Sequence, residues 1–84
     1  MIKKALKKLL LAMLKEEYPE IKDIHISSTD VGNILYRVGV GLEYGNLPET
    51  KEEENQLKLR IKELSKYILD KTGSIETIFF YDPN

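Results

Sequence analysis

Apolar residues recur every three to four positions over residues 2–17, and that period predicts an amphipathic helix. At about 100° per residue, Ile2, Ala5, Leu6, Leu9, Leu10 and Met13 form one stripe. Lys3, Lys4, Lys7, Lys8 and Lys15 lie on the other side, and Leu11 projects from the middle of that lysine face. Pro19 ends the helix, because the residue before a proline is held away from helical angles.

The period then changes from helical to alternating. "IKDIHISS" predicts a strand over about Ile21–Ser28, with Ile24 and Ile26 inward and Asp23, His25 and Ser27 outward. "TDVGN" supplies a turn, since Gly32 and Asn33 tolerate positive φ, and a hairpin is expected. In the next strand Ile34, Tyr36, Val38, Val40, Leu42 and Tyr44 share one face and form its core side. Leu35, Arg37, Gly39, Gly41 and Glu43 share the other.

"TKEE" reads as a capping box, with Thr50 accepting from the amide of Glu53, and Glu52–Glu54 favoured by the helix dipole. Leu57, Ile61, Leu64 and Ile68 carry a helix over about residues 51–71, with Gly73 as its left-handed terminator and Leu59 opposite the apolar stripe. "SIETIFFYD" reads as a third strand over about residues 75–81, apolar on both faces. It can lie beside either earlier strand. The order α-β-β-α-β predicts one α+β domain over residues 1–84, a two-layer fold with a three-stranded sheet and both helices on one face, ferredoxin-like or KH-like.

Gly39 and Gly41 fall at successive positions of the outer strand face. A dinucleotide fingerprint needs G-x-G-x-x-G on a strand-to-helix turn, but Gly45 comes one residue too late and the alternation runs on without a turn. The shaved face is therefore either solvated or covered by a partner's side chains or backbone.

Charge sharpens this picture. Residues 1–15 carry five lysines and no acid, whereas the remaining residues carry eight basic and fourteen acidic side chains. A +5 arm on a −6 body predicts an anionic partner for the arm, or the body of a second copy. There is no cysteine, so disulfides, thiolate metal sites and cysteine nucleophiles are excluded. "LLLAML" is too short for a signal-peptide core or a membrane span, and a cytoplasmic location is expected.

Catalytic groups do not converge. Ser27, Ser28 and Thr29 beside His25 read as turn chemistry, and Glu16/Glu17 and Glu52–Glu54 as helix-end carboxylates. No enzyme is expected, and no cofactor. Asp23 and His25 emerge on one strand face as weak metal candidates, but two ligands do not make a site.

"IKDIHI", a turn glycine, an alternating strand, an acidic-start helix and a last strand closing on Asp82-Pro83 resemble the cytoplasmic C-terminal domain of cation diffusion facilitators. The likeness covers about residues 19–83. It implies a ferredoxin-like dimerisation module that binds divalent metal, with His25 as the one residue carried over; the family's later-strand histidines are missing here. A weaker resemblance, through "IKDIHISS" and "FFYD", is to ribosome-binding factor A and its KH-like fold, without a G-x-x-G loop.

These readings converge on a non-catalytic interaction or assembly subunit. It is expected to associate with itself or a larger complex through Arg37, Gly39 and Gly41 on the open sheet face, through Lys4, Lys7, Lys8 and Leu11 on the first helix, and through Leu59. The alternatives are an RNA- or ribosome-associated factor binding nucleic acid through the lysine helix, and a metal-linked dimerisation module using His25 and Asp23.

Overall fold

The chain forms α1 (Ile2–Glu17), β1 (Ile21–Thr29), β2 (Leu35–Leu42), a single 3₁₀ turn (Tyr44–Asn46), α2 (Lys51–Leu69) and β3 (Ser74–Tyr81). The structure is a computed structural model that describes residues 2–29 and 34–84; most of the expected "TDVGN" turn lies outside the described residues. The sheet order is β1-β2-β3. β1 and β2 are antiparallel, whereas β3 lies parallel to β2. A parallel neighbour needs a crossover, and α2 supplies it. The architecture is the expected two-layer α+β domain, ferredoxin-like in arrangement, and the third strand sits beside the second.

The core lies between the sheet and the two helices. Leu6, Leu10 and Leu14 of α1 and Leu57, Ile61, Leu64 and Leu69 of α2 meet Ile24, Ile26, Val38, Val40, Leu42 and Ile78. Each such side chain contributes about 1.5–3 kcal/mol relative to an exposed one. The buried stripe of α1 is centred on Leu6, Leu10 and Leu14, which rotates the face from the expected one. Leu9 is 49% exposed. Leu11 is not stranded among lysines: it is half-buried at the flank of the core, as is Met13.

Two bulges reset the strand faces. The register shifts between Ile21 and Asp23 against β2, making Lys22 the extra residue. It shifts again where Ile75 and Thr77 oppose Tyr36 and Arg37, making Glu76 extra. A bulge puts one additional residue in a strand and reverses the phase of the residues beyond it. Ile21 therefore shares the core face with Ile24 and Ile26, and Ile75 shares it with Ile78 and Phe80. Thr77, Phe79 and Tyr81 are left on the open face.

Two element ends differ from expectation. β2 stops at Leu42, and Tyr44, expected in the core, is 81% exposed in the 3₁₀ turn. α2 is capped as predicted, with Glu53 N donating to Thr50 Oγ1 at 3.1 Å. It ends at Leu69, and the left-handed φ belongs to Asp70 (φ 53°), not Gly73. Gly73 has a different task. A Cβ there would lie 2.7 Å from Tyr36 Cε2 and 2.9 Å from the Ile34 carbonyl oxygen.

Candidate functional site: the open sheet face

The strand register sets three rows on the face away from the helices. Asp23, Gly41 and Tyr81 align in one, His25, Gly39 and Phe79 in the next, and Ser27, Arg37 and Thr77 in the third. The glycines sit in the central strand between two residues with side chains, and the rings of β3 occupy the room they leave. A Cβ on Gly39 would come 2.6 Å from Phe79 Cζ and 3.2 Å from Tyr81 Cε1. One on Gly41 would come 3.2 Å from Tyr81 Cζ. The expected choice between solvent and a partner over the glycines is thus resolved a third way: the chain's own aromatic side chains lie across them. Such cross-strand packing compensates for the side chain a glycine lacks.

The two rings form a tilted pair, with centroids 6.2 Å apart and planes at 41°. Phe79 is nonetheless 42% exposed, and with Tyr81 and His25 it lines a shallow depression of about 240 Å³. Burial, and then the negative charge of Asp23, push the Tyr81 phenol above its ordinary pKa of 10.0, so it stays neutral at physiological pH. It can stack and donate a hydrogen bond, but it is no base.

Ion pairs border this apolar centre. Arg37 Nε lies 3.3 Å from Glu76, Lys22 Nζ 3.8 Å from Glu43, and Lys7 Nζ 3.9 Å from Asp23. All are exposed, so they contribute little stability and act as a polar rim.

Lys3, Lys4 and Lys7 of α1 line a second, open cleft of about 500 Å³ with His25 and Ile26 of β1. The fold thus brings Arg37, Gly39 and Gly41 together on the open face and sets Lys4 and Lys7 at its β1 edge. Lys8 is exposed further along α1, Leu11 packs at the core flank, and Leu59, 59% exposed, lies on the helix layer. Phe79 and Tyr81 are the site residues that pattern reading missed. Their signal, an aromatic pair two residues apart matching a glycine pair two apart, becomes readable only once β3 is known to pair with β2.

The metal candidates do not assemble. Asp23 faces Lys7, and among the described residues no three His, Asp or Glu side chains come together as a metal site. The donors among the described residues of one chain do not make a metal site. No helix among the described residues is long and apolar enough to cross a membrane.

A two-layer domain with one bare, aromatic-centred sheet face is a ferredoxin-like module that presents a surface. No protein-family model matches the chain, and no curated protein matches it in sequence. Solved structures do match in fold. The MamB C-terminal domain, a magnetosome protein of Desulfamplus magnetovallimortis BW-1, superposes with a TM-score of 0.62 at 17% identity, covering 96% of this chain and 94% of that one. The metal-bound C-terminal domain of the CzcD transporter from Thermotoga maritima gives 0.63 at 14% identity, covering 95% and 91%. The cytosolic domain of a cation diffusion facilitator family protein gives 0.53 at 16%, covering 87% and 81%. The fold is that of cation diffusion facilitator cytoplasmic domains, the likeness expected from sequence.

Proposed function

We propose that this chain is a non-catalytic assembly domain that pairs with a second copy of itself through the open sheet face. The observation that carries this reading is the half-exposed Phe79, held over Gly39 beside Tyr81 and His25. An apolar, aromatic centre inside a polar rim is the anatomy of a protein interface. The rim favours a like partner. Arg37 and Glu76, Lys22 and Glu43, and Lys7 and Asp23 give it both signs in equal number, so neither sign dominates to repel a second copy turned by a two-fold axis. The Phe79 ring of each copy fills the depression beside His25 of the other. The fold neighbours support a module of this kind, and none of the groups on the face converges as a catalytic set.

The CzcD neighbour is described as metal-bound, but the described residues here give that reading no third ligand. The pairing rests on aromatic contact. Sedimentation equilibrium at moderate salt tests it: the wild type is expected to show a dimer, and Phe79→Arg a monomer with an unchanged circular dichroism spectrum. A wild type that stays monomeric at high protein concentration sinks the reading.

A further inference from the structure

The charge asymmetry seen along the chain becomes an asymmetry in space. α1 and β1 are joined by three residues, with Ile21 N donating to the Tyr18 carbonyl at 3.0 Å, so they run in opposite directions. The start of α1 therefore lies toward the Thr29 end of β1, and Lys3 and Lys4 share a cleft with His25 and Ile26 at the middle of that strand. β3 begins at that same end, since Ser74 pairs with Leu35 and Leu35 with Thr29. The last turns of α2 are there too: Lys62 and Lys66 line a cleft of about 320 Å³ with Ser74 and Ile75. At the opposite end, Tyr18 and Glu20 after α1 share a cleft with Pro48, Glu53 and Leu57 at the start of α2.

Lys3, Lys4, Lys62, Lys66 and Lys71 thus gather toward one end of the molecule. All five are exposed, and none stands in an ion pair among the described residues. Glu16, Glu20, Glu49, Glu52 and Glu53 gather at the other, also outside any ion pair among the described residues. Among the described residues, Asp70 at the first end and Lys15 and Lys51 at the second are the exceptions outside ion pairs; Glu63 and Glu76, also toward the first end, are paired with Arg60 and Arg37. Two features keep these charges apart. The long axis spans 37 Å, and α1 alone separates its ends by about 24 Å. That exceeds the Debye length of about 8 Å at physiological ionic strength, so the two ends do not neutralise one another within one copy. The first turn of α1 has no acid to offset its lysines or the helix dipole.

We infer that the two ends are a docking pair for successive copies of this chain: the lysine end of one molecule takes the glutamate end of the next. The occupant is a second copy because this chain itself carries the complementary surface at the far end. Such a contact joins different patches, so it is heterologous and grows into rings or strings and not a closed two-fold pair. It adjoins the open sheet face at the β1 edge, where Lys4 lies beside His25, but it joins the two ends of the molecule and does not depend on that face's role. Its strength is electrostatic, so it is steered at low salt and lost at high salt.

Light scattering of the full chain across ionic strength tests the inference. At about 0.01 M, where charges act over about 30 Å, the weight-average mass is expected to rise with protein concentration beyond the high-salt species; at about 1 M, where they act over about 3 Å, it returns to that species. Reversing one end by Lys3→Glu, Lys4→Glu, Lys62→Glu and Lys66→Glu is expected to weaken low-salt growth about tenfold or more. Reversing the other by Glu16→Lys, Glu20→Lys and Glu49→Lys should do the same, and an equimolar mixture of the two variants should recover growth. Phe79→Arg removes the sheet-face pair and leaves the salt-dependent growth in place, so the two contacts fail separately. A wild-type mass that ignores salt overturns the inference. So does a mixture of folded variants that fails to grow, or a lysine end that binds a short RNA while the protein alone shows no growth.

Discussion

Gly39 lies directly beneath Phe79: a β-carbon on Gly39 would stand 2.6 Å from the tip of that ring, inside any tolerable carbon contact. The ring tip is the mobile end of a half-exposed side chain, so it can swing away at small cost. Gly39→Ala is therefore expected to stay within about 1 kcal/mol of wild-type stability, since the alanine also restricts the unfolded chain. The displaced Phe79 no longer presents the same face, and self-association should weaken about tenfold, or 1.4 kcal/mol. Parallel urea melts and sedimentation runs separate the two effects. Unchanged association would remove Phe79 from the interface.

Gly73 gives the opposite outcome. Its missing Cβ would meet Tyr36, which is buried, and the backbone oxygen of Ile34, which cannot rotate aside. Ser74 N also donates to that same oxygen at 3.1 Å, so the start of β3 is tied to it. Gly73→Ala should cost about 1–3 kcal/mol of folding stability, as overpacking does. Thermal denaturation indistinguishable from wild type would contradict the close approach.

These two glycines show where pattern reading stops. The helices, the hairpin strands and the α-β-β-α-β order follow from local period and capping, and Thr50 caps α2 as its sequence dictates. Lys22 and Glu76, the bulge residues, carry no sequence mark. Alternation alone therefore leaves both faces of β3 as candidates for the core and keeps Tyr44 in a strand that ends at Leu42. Leu14, omitted from the expected stripe of α1, shifts that stripe enough to bury the side of Leu11 and expose Leu9. The open face is legible in the sequence as a bare surface with Arg37, Gly39 and Gly41 on it. Its aromatic half is not, because Phe79 reaches Gly39 only through a parallel pairing of strands forty residues apart.

Ser65 is fully buried on α2, and its Oγ has no hydrogen-bond partner among the described residues. Removing an unpaired buried hydroxyl relieves its desolvation, and alanine is the better helix former. Ser65→Ala is expected to stabilise the fold by about 1 kcal/mol, read as a higher denaturation midpoint with an unchanged slope. A lower midpoint would show that the hydroxyl is satisfied in solution.

Metal should not govern assembly. With Asp23 turned to Lys7 and His25 lacking further ligands among the described residues, neither adding zinc nor treating with chelator is expected to change the sedimentation profile. A zinc-dependent rise in mass that His25→Ala abolishes would show that ligands from two copies combine across the interface.

The helices are fastened by one geometrically specific pair. Arg60 of α2 donates from Nε to both oxygens of Glu17, at 2.9 and 3.0 Å, and from Nη2 to Glu17 Oε2 at 2.7 Å. The hydrogen bonds from Arg60, and then its charge, hold the Glu17 carboxyl below its ordinary value of 4.5 in the folded state. A depressed carboxyl pKa gives stability that is present above the unfolded value and lost as pH falls through the folded one. Glu17→Gln should therefore lower the melting temperature slightly at pH 7, and the gap should close in acid below both values, where wild-type Glu17 is itself neutral. Because the pair is exposed, added salt should narrow the gap at pH 7 as well. A difference between the two proteins that persists undiminished in acid would mean that Glu17 acts through packing and not through its charge.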